Sequence, residues 1–430
     1  MEAKMRMIPM MGLIPALGMM LGIPRACASL PRGDEARGPE PGLERQIRVR
    51  LQENAQEISF RGFDLEFYSG KASSQGFLGQ RRMASRADRL SRWTARCSDG
   101  KVELSSGRER KLFDAVVWVE SATGFVTVGP SLRLRDALQI RALPRQSSCE
   151  LVNALDVEKY LEGLVNSEFS SRWSRTAIDA QVVAARTYAY YQIANARQNP
   201  ASSFDVESTI KDQVYEGAHK EDALAAQSVA RTRDLILTAD GERPIKAFYH
   251  STCGGQTELP KYVWGREVAG FERRVPCPYC KVSPRFTWKL NPSGGDFKTR
   301  VLNSGENLPE YVRNGELEAL EIAERHPSGR ASRVTSRWKW KGMTLRWDFT
   351  AIQMRSWLGL NAMRSTWFEI KRLGHRFEIL GRGFGHGVGM CQWGAKVMGE
   401  KGRKMDEILR QYYPDARLAK LGRGRDLASN

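Results

Sequence analysis

Gly381-Arg382-Gly383-Phe384-Gly385-His386-Gly387-Val388-Gly389-Met390 places a glycine at every second position around one histidine, and Cys391-Gln392-Trp393-Gly394-Ala395 follows it. As a plain strand this segment would have one face without side chains, at an entropic cost and with no packing in return. The pattern suits a backbone that turns sharply or lies against another part of the molecule. It is either a glycine-rich turn that shapes the fold or the wall of a cleft. It is not a dinucleotide fingerprint, because the third glycine of G-x-G-x-x-G would fall on His386 or Val388.

The 430 residues allow one large or two medium domains. Hydrophobic residues make up 41% and charged residues 27%, a soluble globular composition and not a disordered one. A formal charge of +18 points to an anionic partner: nucleic acid, a membrane surface or an acidic polysaccharide. Lys4 and Arg6 precede an apolar run interrupted by Pro9 and Pro15, and Arg25-Ala26-Cys27-Ala28 closes it. This reads as a signal peptide over residues 1–28, cleaved after Ala28, that leaves no transmembrane span in the mature chain. Lipidation at Cys27 is the alternative. Export to the periplasm or cell envelope argues against nucleic acid and for a wall polymer.

Residues 29–45, rich in Pro, Gly and charge, read as a linker. Alternating segments at 47–51, 63–68, 115–119 and 132–134 make 46–149 a mostly β N-terminal region, either separate from the mixed segment after it or continuous with it. Its basic stretch 80–111 reads as an exposed loop or hairpin. From residue 150 the pattern is mixed. A short helix starts after Asp156 as N-cap, and a longer one follows Ser174 or Thr176, with Ile178, Val182, Ala185 and Ala189 at helical spacing. A third helix is predicted over 220–231 and another near 349–359; strands are predicted at 235–238, 245–250, 367–370 and 377–379. The fold class is α+β: a β-rich core with a few helices that form a substrate cleft over residues 150–420, then a basic tail at 421–430.

Glu168 lies between the first two helices beside Phe169 and Trp173. Shelter among apolar groups would raise its pKa and suit it to general acid work; an exposed loop glutamate is the plainer reading. Arg186 sits among small and apolar residues and needs partners for five donors, either structural acceptors or an anionic substrate. His250-x₂-Cys253 and Cys277-x₂-Cys280 offer one imidazole and three thiolates, a full tetrahedral set for a closed structural Zn2+. The rivals for Cys277-Pro278-Tyr279-Cys280 are a redox dithiol, which Pro284 disfavours, and a simple disulfide. His386 is the one group of the glycine run that titrates near neutral pH.

Three long segments together resemble the SpoIID/LytB family, the family of stage II sporulation protein D. They are 157–168 continuing to 189; Gln213-Val214-Tyr215-Glu216-Gly217 with 248–257; and 383–395 continuing to Tyr413. The resemblance covers about residues 150–418. It implies lytic transglycosylation of peptidoglycan glycan strands, with Glu168 as the single catalytic acid and base and 1,6-anhydro-MurNAc ends as the product. It matches Arg186 to the family's helix arginine and makes Tyr215, His386 and Gln392 candidate cleft residues. It also implies other cell-wall hydrolases as further partners, since some members are described as non-catalytic amidase enhancers, and zinc near the cleft. The chain departs from the family at Asp179, where lysine is frequent, and at Cys391, where serine is frequent; Cys391 reads as a small buried substitute.

Overall fold

The computed structural model describes residues 45–69, 82–199 and 201–421. The signal peptide, most of the linker and nearly all of the basic tail lie outside them. The chain is α+β, as its sequence indicates. Most of the N-terminal region builds one sheet of eleven strands among the described residues, ordered Val206–Glu207, Gln46–Ala55, Cys149–Asp156, Ala137–Ala142, Val116–Ser121, Ile58–Ser69, Arg82–Ser98, Lys101–Ser106 and Glu109–Asp114. Phe125–Val128 and Leu132–Arg135 branch from it. Alternation explains the strands: Ile58, Phe60, Leu65 and Phe67 are buried on one face of theirs, and Trp93 and Ala95 likewise. The described part of the basic stretch read as a loop or hairpin is a hairpin of paired strands, Arg82–Ser98 with Lys101–Ser106, and Arg86, Arg89, Arg92 and Arg96 are exposed.

The boundary expected between residues 149 and 150 falls inside the strand Cys149–Asp156, which pairs with Gln46–Ala55 on one side and Ala137–Ala142 on the other. A disulfide joins Cys97 to Cys149 across the sheet and closes a loop with a sequence separation of 52. Constraint of that size is worth about 4 kcal/mol in the chain-entropy model.

Helix α1 (Val157–Glu168) follows directly, with Asp156 accepting from the Glu158 amide as its N-cap. It ends where Phe169 turns fully extended. Helix α2 (Arg175–Arg197) starts after Ser174, whose side chain makes no capping bond. Ile178, Val182, Ala185 and Ala189 face the core of the large sheet, whereas Ala180, Val183 and Ala184 face a second core containing Cys253, Cys277, Cys280, Val388 and Cys391. A third core belongs to residues 288–379, where Phe297, Trp338 and Phe368 are sealed among short helices and two three-stranded sheets. The strand predicted over 245–250 is only Tyr249–His250, and it pairs in parallel with Met390–Cys391.

The glycine run connects these parts. Gly389 has φ +70°, and a Cβ there would meet the Phe248 carbonyl oxygen at 2.0 Å. Gly387 has φ +86°, and its missing side chain leaves room for the Arg330 guanidinium. Left-handed backbone and close approach together require glycine at both positions.

Candidate active site and metal centre

Glu168 ends α1 and is only partly exposed. The Val214 amide donates to its Oε1 at 2.7 Å. The Tyr249 hydroxyl and the Gln392 amide adjoin the carboxyl and favour its charged form, but burial outweighs them and raises its pKa to about 7. Gln392 Nε2 is buried with no other partner. Phe169, Trp173 and Trp393 form an edge-packed aromatic group, with centroids 5.1 and 5.4 Å apart.

Tyr249 is set by a relay. The Tyr160 hydroxyl donates to Gln213 Oε1 at 3.0 Å, and Gln213 Nε2 donates to the Tyr249 hydroxyl at 3.0 Å. His386 is tied to the same residue: Nε2 donates to the Tyr249 carbonyl at 3.0 Å while Nδ1 accepts from the Val388 amide at 3.0 Å. Both ring nitrogens are engaged as in the neutral form. Burial, then His250 and Arg355, hold its pKa well below the usual value. His386 is thus held neutral by its two hydrogen bonds and its surroundings. Tyr249 and His386 border a cavity of about 820 Å³, whose opposite wall comes from the 288–379 unit. Asp212, on the near wall, accepts from Tyr188, Gln192 and the Glu207 amide.

Two expected substrate-binding residues are elsewhere. Arg186 is fully buried and forms a bidentate ion pair with Glu158 at 2.7 and 2.9 Å, its other donors going to carbonyls of Val229, Thr232 and Leu235. No donor is left for a ligand. Tyr215 is buried against Tyr160, and its hydroxyl donates to Asn153 at 3.2 Å. Asp179 faces Ser228 and Arg231 and not the acid.

The metal set also changes. The four sulfurs of Cys253, Cys277, Cys280 and Cys391 lie within 4.8 Å of one another, all buried. His250 is not among them: its Nδ1 donates to the Val388 carbonyl at 3.0 Å, and burial lowers its pKa to about 4. Cys391 takes the fourth place and is more than a small substitute for serine. A tetrahedral centre with Zn–S bonds of ~2.3 Å separates its sulfurs by about 3.8 Å, close to this arrangement. Amides of Cys253 and Gly255 point at the sulfurs of Cys391 and Cys253 at 3.3 and 3.4 Å, as suits thiolates. Sequence spacing could not reveal Cys391, because the Tyr249–His250 pairing brings it in from far along the chain.

The SpoIID family model, stage II sporulation protein, matches residues 145–238, and a domain of unknown function matches residues 280–389. Stage II sporulation protein D of Bacillus amyloliquefaciens is 31% identical over 281 residues, covering 62% of this chain and 75% of that protein. The chain belongs to the SpoIID family. The Bacillus subtilis stage II sporulation protein D is 28% identical over 316 residues, covering 70% of this chain and 86% of its own length. The amidase enhancer of Bacillus subtilis is 26% identical and covers 60% of this chain, which spans 40% of that protein. SpoIID membership carries a cell-wall-related role. Among the described residues no helix is long and apolar enough to cross a membrane.

Proposed function

We propose that this SpoIID protein is an exported lytic transglycosylase that cuts the MurNAc–GlcNAc bond of peptidoglycan strands with Glu168 as its one acid and base. The observation that carries the reading is the carboxyl of Glu168, its pKa raised to about 7 by burial and joined through Tyr249 to a cavity that Tyr249 and His386 border and Glu168 does not itself line. A carboxyl so poised is half protonated near neutral pH and serves in both directions.

Glu168 first gives its proton to the bridging oxygen as the C1–O bond breaks. The muramic C6 hydroxyl then closes onto C1, and Glu168 takes the proton from that hydroxyl, which restores the acid and leaves a 1,6-anhydro ring. No water is activated and no enzyme nucleophile is needed, so the paired carboxylates of ordinary glycosidases are unnecessary. Asp212, held by three hydrogen bonds, fits that economy. Val214, Tyr249 and Gln392 orient the carboxyl and stabilise its ionised state.

The four cysteines would hold one structural Zn2+, a closed site without an open position for substrate. Bound there, the ion would fix Cys391, and with it Gln392 and the Tyr249–His250 pairing, next to the acid. The Cys97–Cys149 disulfide favours an oxidising compartment and hence export, where four bare thiols this close would not stay reduced without a metal.

Digestion of purified glycan strands followed by mass spectrometry tests the activity: anhydro-muramyl ends appear with the native chain and vanish with Glu168→Gln. Stimulation of a separate amidase without such ends would instead make it an amidase enhancer. Elemental analysis is expected to give one zinc per chain under reducing conditions, and none after Cys391→Ser with a chelator.

A further inference from the structure

The cavity bordered by Tyr249 has a far wall that α1 and α2 do not supply. It comes from the 288–379 unit, and two guanidinium groups on it, Arg330 and Arg355, border the cavity together with His386. Arg330 is 1% exposed. Its Nη2 donates to the carbonyls of Cys253 and Gln256 at 2.6 and 3.3 Å, while Nε and Nη1 have no partner. Arg355 donates through Nε to the Met363 carbonyl at 3.0 Å. Burial draws its pKa down to about 10, and Arg330 adds to the effect.

Among the described residues, neither arginine has a carboxylate within 4.0 Å. The other buried arginines differ: Arg48 and Arg186 each hold a carboxylate at 2.7 Å. Of the acids on this side of the cavity, Glu324 is paired with Arg333 and Asp348 with Arg346, while the charge of Glu258, bonded by Ser328, acts on Arg330. Glu258 and the sulfurs of Cys253 and Cys391 offset the charge of Arg330, whereas the charged group acting on the half-buried Arg355 is Arg330 itself, so an anion joining Arg355 is favoured. The cavity also carries a sugar-like platform: the Trp264 indole is 41% exposed and stacks on Phe248 with centroids 4.4 Å apart.

We propose that Arg355, backed by Arg330, is a carboxylate subsite for a glycan strand laid across Trp264. This rests on the peptidoglycan reading above. Muramic acid carries a lactyl group whose carboxyl is free in stripped strands; in peptide-bearing strands that carboxyl is amide-linked and the peptide brings carboxylates of its own. Both sources share one chemistry, and a guanidinium fork suits it.

The test uses the full chain carrying Glu168→Gln, so that no strand is turned over. Its affinity is measured by calorimetry for three glycans of equal length: stripped strands, peptide-bearing strands, and stripped strands whose carboxyls have been reduced to alcohols. Adding Arg355→Gln is expected to weaken carboxylate-bearing strands about 10- to 100-fold. Reduced strands should change less than about twofold, and Arg355→Lys should lose less than Arg355→Gln. Loss confined to stripped strands assigns the lactyl carboxylate; loss confined to peptide-bearing strands assigns the peptide. Equal weakening of all three glycans, or of none, overturns the subsite. A parent chain that binds none of the three overturns the peptidoglycan reading and the subsite with it.

Discussion

The helix pair α1–α2 and the far wall of the cavity each bury an arginine, Arg186 and Arg330, and they use them in opposite ways. Arg186 on α2 lies against Glu158 of α1 with every donor engaged inside the protein. Arg330 and Arg355 have carbonyl partners only, and they border a cavity. Burial alone therefore does not separate a structural cation from a binding one. The charge balance of its surroundings does, since an ion pair completed within the fold has nothing left to offer a ligand.

The contrast can be broken most forcefully at the helix pair. Arg186→Met strands a buried carboxylate and is expected to cost about 3–5 kcal/mol in denaturant unfolding, whereas Arg186→Met with Glu158→Leu recovers most of that loss. Recovery of nothing would mean that the pair is more than a closed structural contact. The glycine run that admits Arg330 comes next: Gly389→Ala meets both a positive φ and the Phe248 carbonyl, for a loss of about 2–4 kcal/mol.

A smaller effect, of opposite sign, is expected at the acid. Because folding raises the Glu168 pKa, the folded state binds a proton that the unfolded chain releases from about pH 4.5 upward. The folded protein thus loses stability as pH rises toward 7. Glu168→Gln removes this penalty and should stabilise by about 1–3 kcal/mol above pH 7, with no gain below about pH 4.5. Thermal melts of both chains across that range check the sign. Smallest of all, Arg355→Met should shift stability by less than about 1 kcal/mol, because no internal ion pair is broken; a loss of several kcal/mol would make Arg355 structural, like Arg186.

Legibility in the sequence divides in the same way, between local and distant contacts. The helices are readable because Asp156 caps α1 and the apolar period of α2 is local. Glu168 is nominated by a local cue, Phe169 and Trp173 nearby in sequence, whereas the groups that touch its carboxyl, Val214, Tyr249 and Gln392, are distant in the chain. The glycine pattern indicates a close approach, but not that Phe248 and Arg330 are what it approaches. His250 and Cys253 have the spacing of a metal knuckle, yet parallel pairing with Met390–Cys391 brings a distant sulfur to the site and leaves His250 bonded to Val388. Arg186 and Tyr215 stand in motif segments that suggest a cleft role; their partners Glu158 and Asn153 occupy α1 and the preceding strand. Tyr249 lies in the 248–257 motif segment, but its link to Glu168 is not legible there, because it depends on Gln213 and Tyr160 folding around it.

The central claim is that one sheltered carboxyl performs both proton transfers. The most direct measurement is the initial rate of anhydro-muramyl end formation from purified glycan strands between pH 5 and 9. The account predicts a rate that falls as pH rises through about 7, where Glu168 loses its proton, and no such ends from Glu168→Gln at any pH. Anhydro ends formed by Glu168→Gln at the native rate would contradict it.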